Sequence, residues 1–245
     1  MLHKISSRMF VGNGPIKILY PGLVLSNTDT GIGSIGRIDH PEIHGNTLIK
    51  MHPHINDEIL SYFRTGEAEH KDSEGLEKTI GKNVLMLMKA GKSFFHEEKI
   101  LGATEPFEGL QIFIRPGKKD LQPEVLFRDL ETVHSENNWR LLASPTEETT
   151  FQFSSQTWIY DRKLSKNSTT TLPNLLQANL TCLLYVFKGS VKINGDIPLQ
   201  KMEGLIIKME DIVIETNDED AELVLFVTDE ETEIFTEGMF SGNKA

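Results

Sequence analysis

The sequence predicts an all-β protein made of two antiparallel barrel or sandwich units, and three observations carry that. Between Asn46 and Arg115, short runs rich in branched and aromatic residues (NTLIKMHPH, EILSYFRT, AEHKDS, KTI, VLMLM, SFFHEEKI, GLQIFIR) alternate with Gly, Asp-Ser or Lys-Asn turns. Beyond Ser135 the same texture returns in WRLLAS, QTWIYDRKL, TTTL, CLLYVFKGSVKING, LIIKM, DIVIE and ELVLFVT. There LYVFKGSVKING mirrors SYFRTGEAEHKDSEG as strand, turn glycine and strand, the mark of an internal repeat. No helical period of about 3.6 residues intervenes. The 245 residues suffice for two ordinary domains, expected at 1–120 and 121–245. Their division falls in IRPGKKDLQPEV, where Pro116, Gly117 and Pro123 punctuate a connector.

In chain order, IKILY opens the strands and is followed by GIGSIGRIDH. Gly31, Gly33 and Gly36 spell GxGxxG, but a dinucleotide fingerprint needs a helix after it, and RIDHPEIHGN has no helical period. A flexible β-type loop is expected, with His40 and His44 given no role. Next come His52 with His54, and His96 with Glu98, each pair separated by one residue. Side chains at i and i+2 of a strand share a face, so both pairs can point into one interior as a four-ligand cluster. Three imidazoles and a carboxylate suit a divalent transition metal; in an octahedral shell two positions remain for water, substrate or dioxygen. The competing reading is a set of ordinary surface histidines.

Pro53 has no N–H to donate, which places it at a strand edge, end or bulge. Glu58 is either an acceptor that fixes an imidazole tautomer or an exposed strand carboxylate. Phe94 shares the parity of His96 and Glu98 and is expected to line the same cavity, with Phe95 outside. Met86 and Met88 are expected to fill core. In the second half Cys182 sits in the apolar run CLLYVF as a small hydrophobe rather than a redox thiol. All eight histidines precede residue 135, so the second unit is expected to build no imidazole metal site.

Charge excludes some functions. A net charge of −11 repels phosphate backbones, so direct nucleic-acid binding is not expected. No apolar run reaches the roughly 18–20 residues of a membrane helix, and MLHKISSRMFVGNGP has neither a signal-peptide core nor a transit pattern. The expectation is a cytoplasmic protein without membrane contact. ETNDEDAE and TDEETE read as solvated turns around the strand LVLFVT.

The motifs HPHxxxE (His52, Pro53, His54, Glu58), GxxxHxDSxG (Gly66, His70, Asp72, Ser73, Gly75) and MxAGxxxxHxE (Met88, Ala90, Gly91, His96, Glu98) stand in order over about fifty residues. This stretch resembles the metal-binding cupin domain of the pirin family, the quercetin-dioxygenase-like bicupins. GKS at Gly91 to Ser93 departs from the family's second glycine, which bears on the local turn. The resemblance implies a bicupin of two jelly-roll barrels, with His52, His54, His96 and Glu98 as the metal ligands and a second domain that has lost its own. It also implies metal-dependent oxygenation of a small aromatic substrate of the flavonol type, with Glu98 as ligand and proton acceptor. Iron is the first choice; Mn, Ni, Cu, Co and Zn remain open. The alternative function is a non-enzymatic, metal-dependent regulator that binds a protein partner.

Overall fold

A computed structural model of the chain describes residues 1–12, 14–146, 150–174 and 180–244. Its strands run β1 (Leu2–Ile5), β2 (Ile16–Leu19), β3 (Ile35–His54), β4 (Glu58–Thr65), β5 (Glu67–Asp72), β6 (Glu77–Ile80), β7 (Val84–Lys89), β8 (Phe94–Ile114) and β9 (Glu124–Asp129). After these come β10 (Arg140–Ser144), β11 (Phe151–Gln152), β12 (Thr157–Leu164), β13 (Thr169–Thr171), β14 (Thr181–Lys188), β15 (Ser190–Ile193), β16 (Ile197–Gln200), β17 (Gly204–Lys208), β18 (Val213–Glu215) and β19 (Ala221–Thr228). Helix is confined to the 3-10 turns Ser7–Met9 and Pro21–Val24 among the described residues.

Two compact units result: Phe10–Val133 with Glu233–Ala245, and Met1–Met9 with His134–Thr232. The expected halves, 1–120 and 121–245, differ from these at both chain ends and at the connector. β9 follows the connector yet pairs with β7 in the first unit, and β1 pairs with β17 in the second. Pairing across a sheet overrides order in the chain, and local punctuation does not record it.

The first unit is one sheet in the order β2-β3-β8-β4-β7-β9, with β5 joined to β8 and β6. β9 does not return to β2, so this is an open jelly-roll-like arrangement rather than the closed barrel expected. The long strands β3 and β8 pair along almost their whole lengths and shift register between Ile43 and Gly45 and again between Ile49 and His52. At the first shift Gly45 takes φ +80°, and a Cβ on Gly102 opposite would lie 2.7 Å from its carbonyl oxygen. The pair bends there because two glycines let the backbones close. Beneath lies a core of Ile59, Phe63, Met86, Met88, Phe94, Phe107 and Phe113, so both methionines fill core. Each such side chain contributes about 1.5–3 kcal/mol on burial.

GIGSIGRIDH is strand from Ile35 onward, not the flexible loop expected, because Ile35 and Ile38 are fully buried and pair with β8. The run of glycines concealed an interior pattern. Gly36 is needed for close approach: a Cβ there would lie 2.0 Å from the Ser241 carbonyl oxygen.

The second unit packs a sheet in the order β1-β17-β14-β19-β12-β10-β11 with a smaller one, β13-β18-β15-β16. Its core is aliphatic, built on Leu184, Val186, Ile193, Leu205, Ile214 and Leu225. Cys182 is part of that core, and burial pushes its thiol up to about 12, which keeps it protonated and unreactive.

Candidate metal centre

The end of β3 and the start of β8 meet in antiparallel register, with His52 opposite His96 and His54 opposite Phe94. On the other side of β8, β5 sets Asp72 beside His96 and His70 beside Glu98. The period of two turns His52 and His54 to one face, and Phe94, His96 and Glu98 inward together, while Phe95 is 43% exposed. Pro53 lies opposite Phe95, whose N–H and C=O both turn away to Ser73. Position 53 therefore faces a gap in the ladder, and its missing N–H costs no hydrogen bond.

Three ring nitrogens converge. His54 Nε2 lies 3.2 Å from His52 Nε2 and 3.0 Å from His96 Nε2. A proton can bridge one such pair, but the third lone pair then faces two nitrogens, and a cation is what satisfies all three. His52 Nδ1 donates to the Lys50 carbonyl at 2.9 Å, which leaves Nε2 as the lone-pair nitrogen. His54 Nδ1 and His96 Nδ1 are buried without a hydrogen-bond partner.

Glu98 stands to one side of this trio. Gln111 Nε2 donates to its two oxygens at 3.2 and 3.1 Å, and Oε1 lies 3.8 Å from His96 Nδ1. Among the described residues two groups have the spacing to hold a metal: His52, His54 and His96, and a neighbouring one of His70, His96 and Glu98. His96 belongs to both. His70 Nε2 is tied to Asp72 Oδ2 at 2.8 Å, and its ring lies 5.3 Å from that of His96.

Electrostatics favour neutral rings. Burial, then the neighbouring imidazoles, hold His96 down at about 2; burial first also lowers His52 and His70. Burial pushes Glu98 up to about 7, against the lowering effect of the Gln111 amide. Neutral nitrogens and a carboxyl ready to give up its proton form a donor set that fits a divalent cation, which needs its ligands deprotonated.

Comparison with known proteins now decides the family. The model described as Pirin matches residues 26–114, and that described as Quercetinase C-terminal cupin domain matches 141–227. The chain belongs to the pirin family. It is a bicupin, as the resemblance implied. A quercetin 2,3-dioxygenase of Escherichia coli K12 is 27% identical over 197 residues, covering 80% of this pirin and 83% of the relative. A pirin-like protein of Caulobacter vibrioides is 28% identical, covering 75% and 78%. Among solved structures, the Escherichia coli pirin YhhW in complex with nickel(II) superposes with TM-score 0.77 at 23% identity, over 94% of this chain and 99% of its own. A quercetin 2,3-dioxygenase of Acinetobacter baumannii gives 0.74 at 19%, over 94% and 86%.

In this pirin the other expected residues fall as follows. Phe94 is fully buried in the core with its ring 5.7 Å from that of His96. Glu58 is buried, which removes the exposed-carboxylate alternative. The Asp57 carboxylate also stands behind an imidazole, with Oδ2 3.6 Å from His54 Nδ1. His40, expected without a role, is buried and pairs with Glu108 at 2.9 Å, while His44 is exposed. Sequence reasoning missed Asp57, Gln111, Phe113 and Phe240. Strand parity would have found Gln111, opposite Asp39 and on the inner face; nothing local marks Phe240, which comes from the far end of the chain.

Proposed function

We propose that this pirin holds one divalent transition metal in its N-terminal cupin, through His52, His54, His96 and Glu98, and oxygenates a small flavonol-like aromatic there. The observation that carries the reading is the convergence of three imidazoles, two of them buried and His52 partly so, with His54 Nε2 3.2 Å from His52 Nε2 and 3.0 Å from His96 Nε2. The curated quercetin 2,3-dioxygenase relative supports the substrate class, and the nickel complex of YhhW supports metal binding. Iron is our first choice, with Mn, Ni, Cu, Co and Zn open to the same ligand chemistry.

When bound, the ion supplies Lewis acidity to a phenolic oxygen and redox coupling to dioxygen. The chain's own part is to orient and to move a proton. His52 is fixed by the Lys50 carbonyl, and Gln111 grips both oxygens of Glu98. The phenolic O–H proton passes to a Glu98 oxygen, which burial makes more basic than an ordinary carboxylate in the metal-free site. The aliphatic filling of the second cupin, which has no histidine beyond His3 and His134, leaves it a supporting role.

The test is elemental analysis of purified protein, then oxygen uptake with quercetin and a panel of catechols at equal metal loading. About one metal per chain is expected, with uptake abolished in His54→Ala. Equal metal content in wild type and a His52/His96 double alanine variant would sink the site. A filled site that turns over no phenolic would overturn the enzyme in favour of a regulator that binds a protein partner.

A further inference from the structure

The last described residues of the chain run back over the site through a set of contacts made for them. Asp57, buried beside His54, accepts through Oδ1 from the Ser241 N–H at 2.8 Å and the Ser241 hydroxyl at 2.7 Å, and the Phe240 N–H lies 3.1 Å from both of its oxygens. Fully buried Arg115 donates from Nε to the Ser241 carbonyl at 3.0 Å while its fork grips Asp29. Gly36 and Gly238 leave room where a Cβ would collide: 2.0 Å from the Ser241 carbonyl oxygen for the first, 2.5 Å from the Asn56 carbonyl oxygen for the second. Asn243 closes the run, donating to the Thr28 carbonyl at 2.9 Å and accepting from the Thr30 N–H at 3.1 Å.

These contacts set one side chain over the imidazoles. The Phe240 ring centre lies 4.9 Å from that of His54 and 5.6 Å from that of Phe113, with the Arg37 guanidinium 5.2 Å from one phenyl ring and 5.1 Å from the other. Arg37 is itself fixed by a two-pronged pair with Asp39 at 2.6 Å. Phe240 is only half-buried.

We infer that segment 238–244 is a working wall of the metal centre: Phe240 selects the planar ring admitted beside His54, and Asp57 is the positioning residue that latches the wall to the His54 imidazole. The choice of ring as ligand rests on the dioxygenase reading above; the wall itself does not. Tilted aromatic contacts at these separations are what a flavonol ring would gain from Phe240 and Phe113 and a compact ligand would not.

The experiment uses full-length protein loaded with Ni(II). Dissociation constants for quercetin and for catechol come from difference absorbance under argon, and the rate of metal extraction is followed with a chromogenic chelator. Phe240→Ala should keep its nickel, bind quercetin about tenfold more weakly with catechol little changed, and release nickel to the chelator about tenfold faster. Asp57→Asn should in addition shift the ligand-field absorption of the nickel, because it also touches His54; a purely structural role would leave that spectrum alone. Should Asp57→Asn fail to fold, Ser241→Ala removes one donor from the same carboxylate and should speed extraction less. Unchanged quercetin binding together with an unchanged extraction rate in Phe240→Ala would overturn the wall. If loaded wild type binds no flavonol, the dioxygenase reading falls, and the extraction rate alone decides the inference.

Discussion

At the scale of single residues, the site combines groups whose proton affinities burial has moved in opposite directions. His96 is depressed to about 2 and Glu98 raised to about 7. Below pH 7 the carboxyl keeps a proton that an incoming cation must displace, whereas the depressed rings carry none. Metal affinity should therefore climb about tenfold per pH unit up to 7 and level off above it, and Glu98→Gln should flatten the slope. Competition titrations from pH 5.5 to 8 check this; a slope near three would mean that the imidazoles are protonated in metal-free protein. Phe94 makes a different demand. Its ring is fully enclosed, so Phe94→Trp should cost about 1–3 kcal/mol by overpacking, read as a lower urea midpoint. Turnover lost in that variant would report on folding before it reported on the cavity.

At the scale of elements, the β3/β8 ribbon is what makes two sequence pairs into one cluster. Its register sets His52 opposite His96 after the shift at Ile49, and the connection between β7 and β8 must hold β8 in that register. Gly91 in this connection takes φ +51°; its carbonyl accepts from the Asn56 N–H at 2.8 Å, and a Cβ would stand 2.0 Å from the Leu121 carbonyl oxygen. Gly91→Ala should therefore destabilise by more than ~1 kcal/mol, through both strain and collision. A urea midpoint equal to wild type would show that the turn relaxes freely. The departure at Gly91 to Ser93 thus leaves a turn with one indispensable glycine.

At the scale of the whole molecule, each unit takes a piece from the far end of the chain. β1 covers the edge of β17, pairing Leu2 with Ile207 through to Ile5 with Gly204. A fragment of residues 134–232 alone leaves one edge of the strand GLIIK open and should aggregate, while the same fragment with residues 1–9 joined by a flexible linker should be monomeric by light scattering. Neither form should bind a transition metal in stoichiometric amount, since the only imidazole present besides that of His3 is that of His134. Equal solubility of the two fragments would argue that β1 adds nothing to the edge.

The sequence by itself determined the strand texture, the two-unit plan, the family and the pairing of His52 with His54 and of His96 with Glu98. These are local: period two and turn residues are written in consecutive positions, and the motifs fall within about fifty residues. Only tertiary structure decided the rest. It brought the three Nε2 atoms together by register, set Glu98 against Gln111, and showed that the carboxylate behind His54 is that of Asp57. It also brought Phe240 to a site that begins 188 residues earlier in the chain, at His52. The physical reason is that a buried polar group takes its partner from whichever strand or segment packs against it, and the pairing of long strands places those segments without leaving a trace in their own residue pattern.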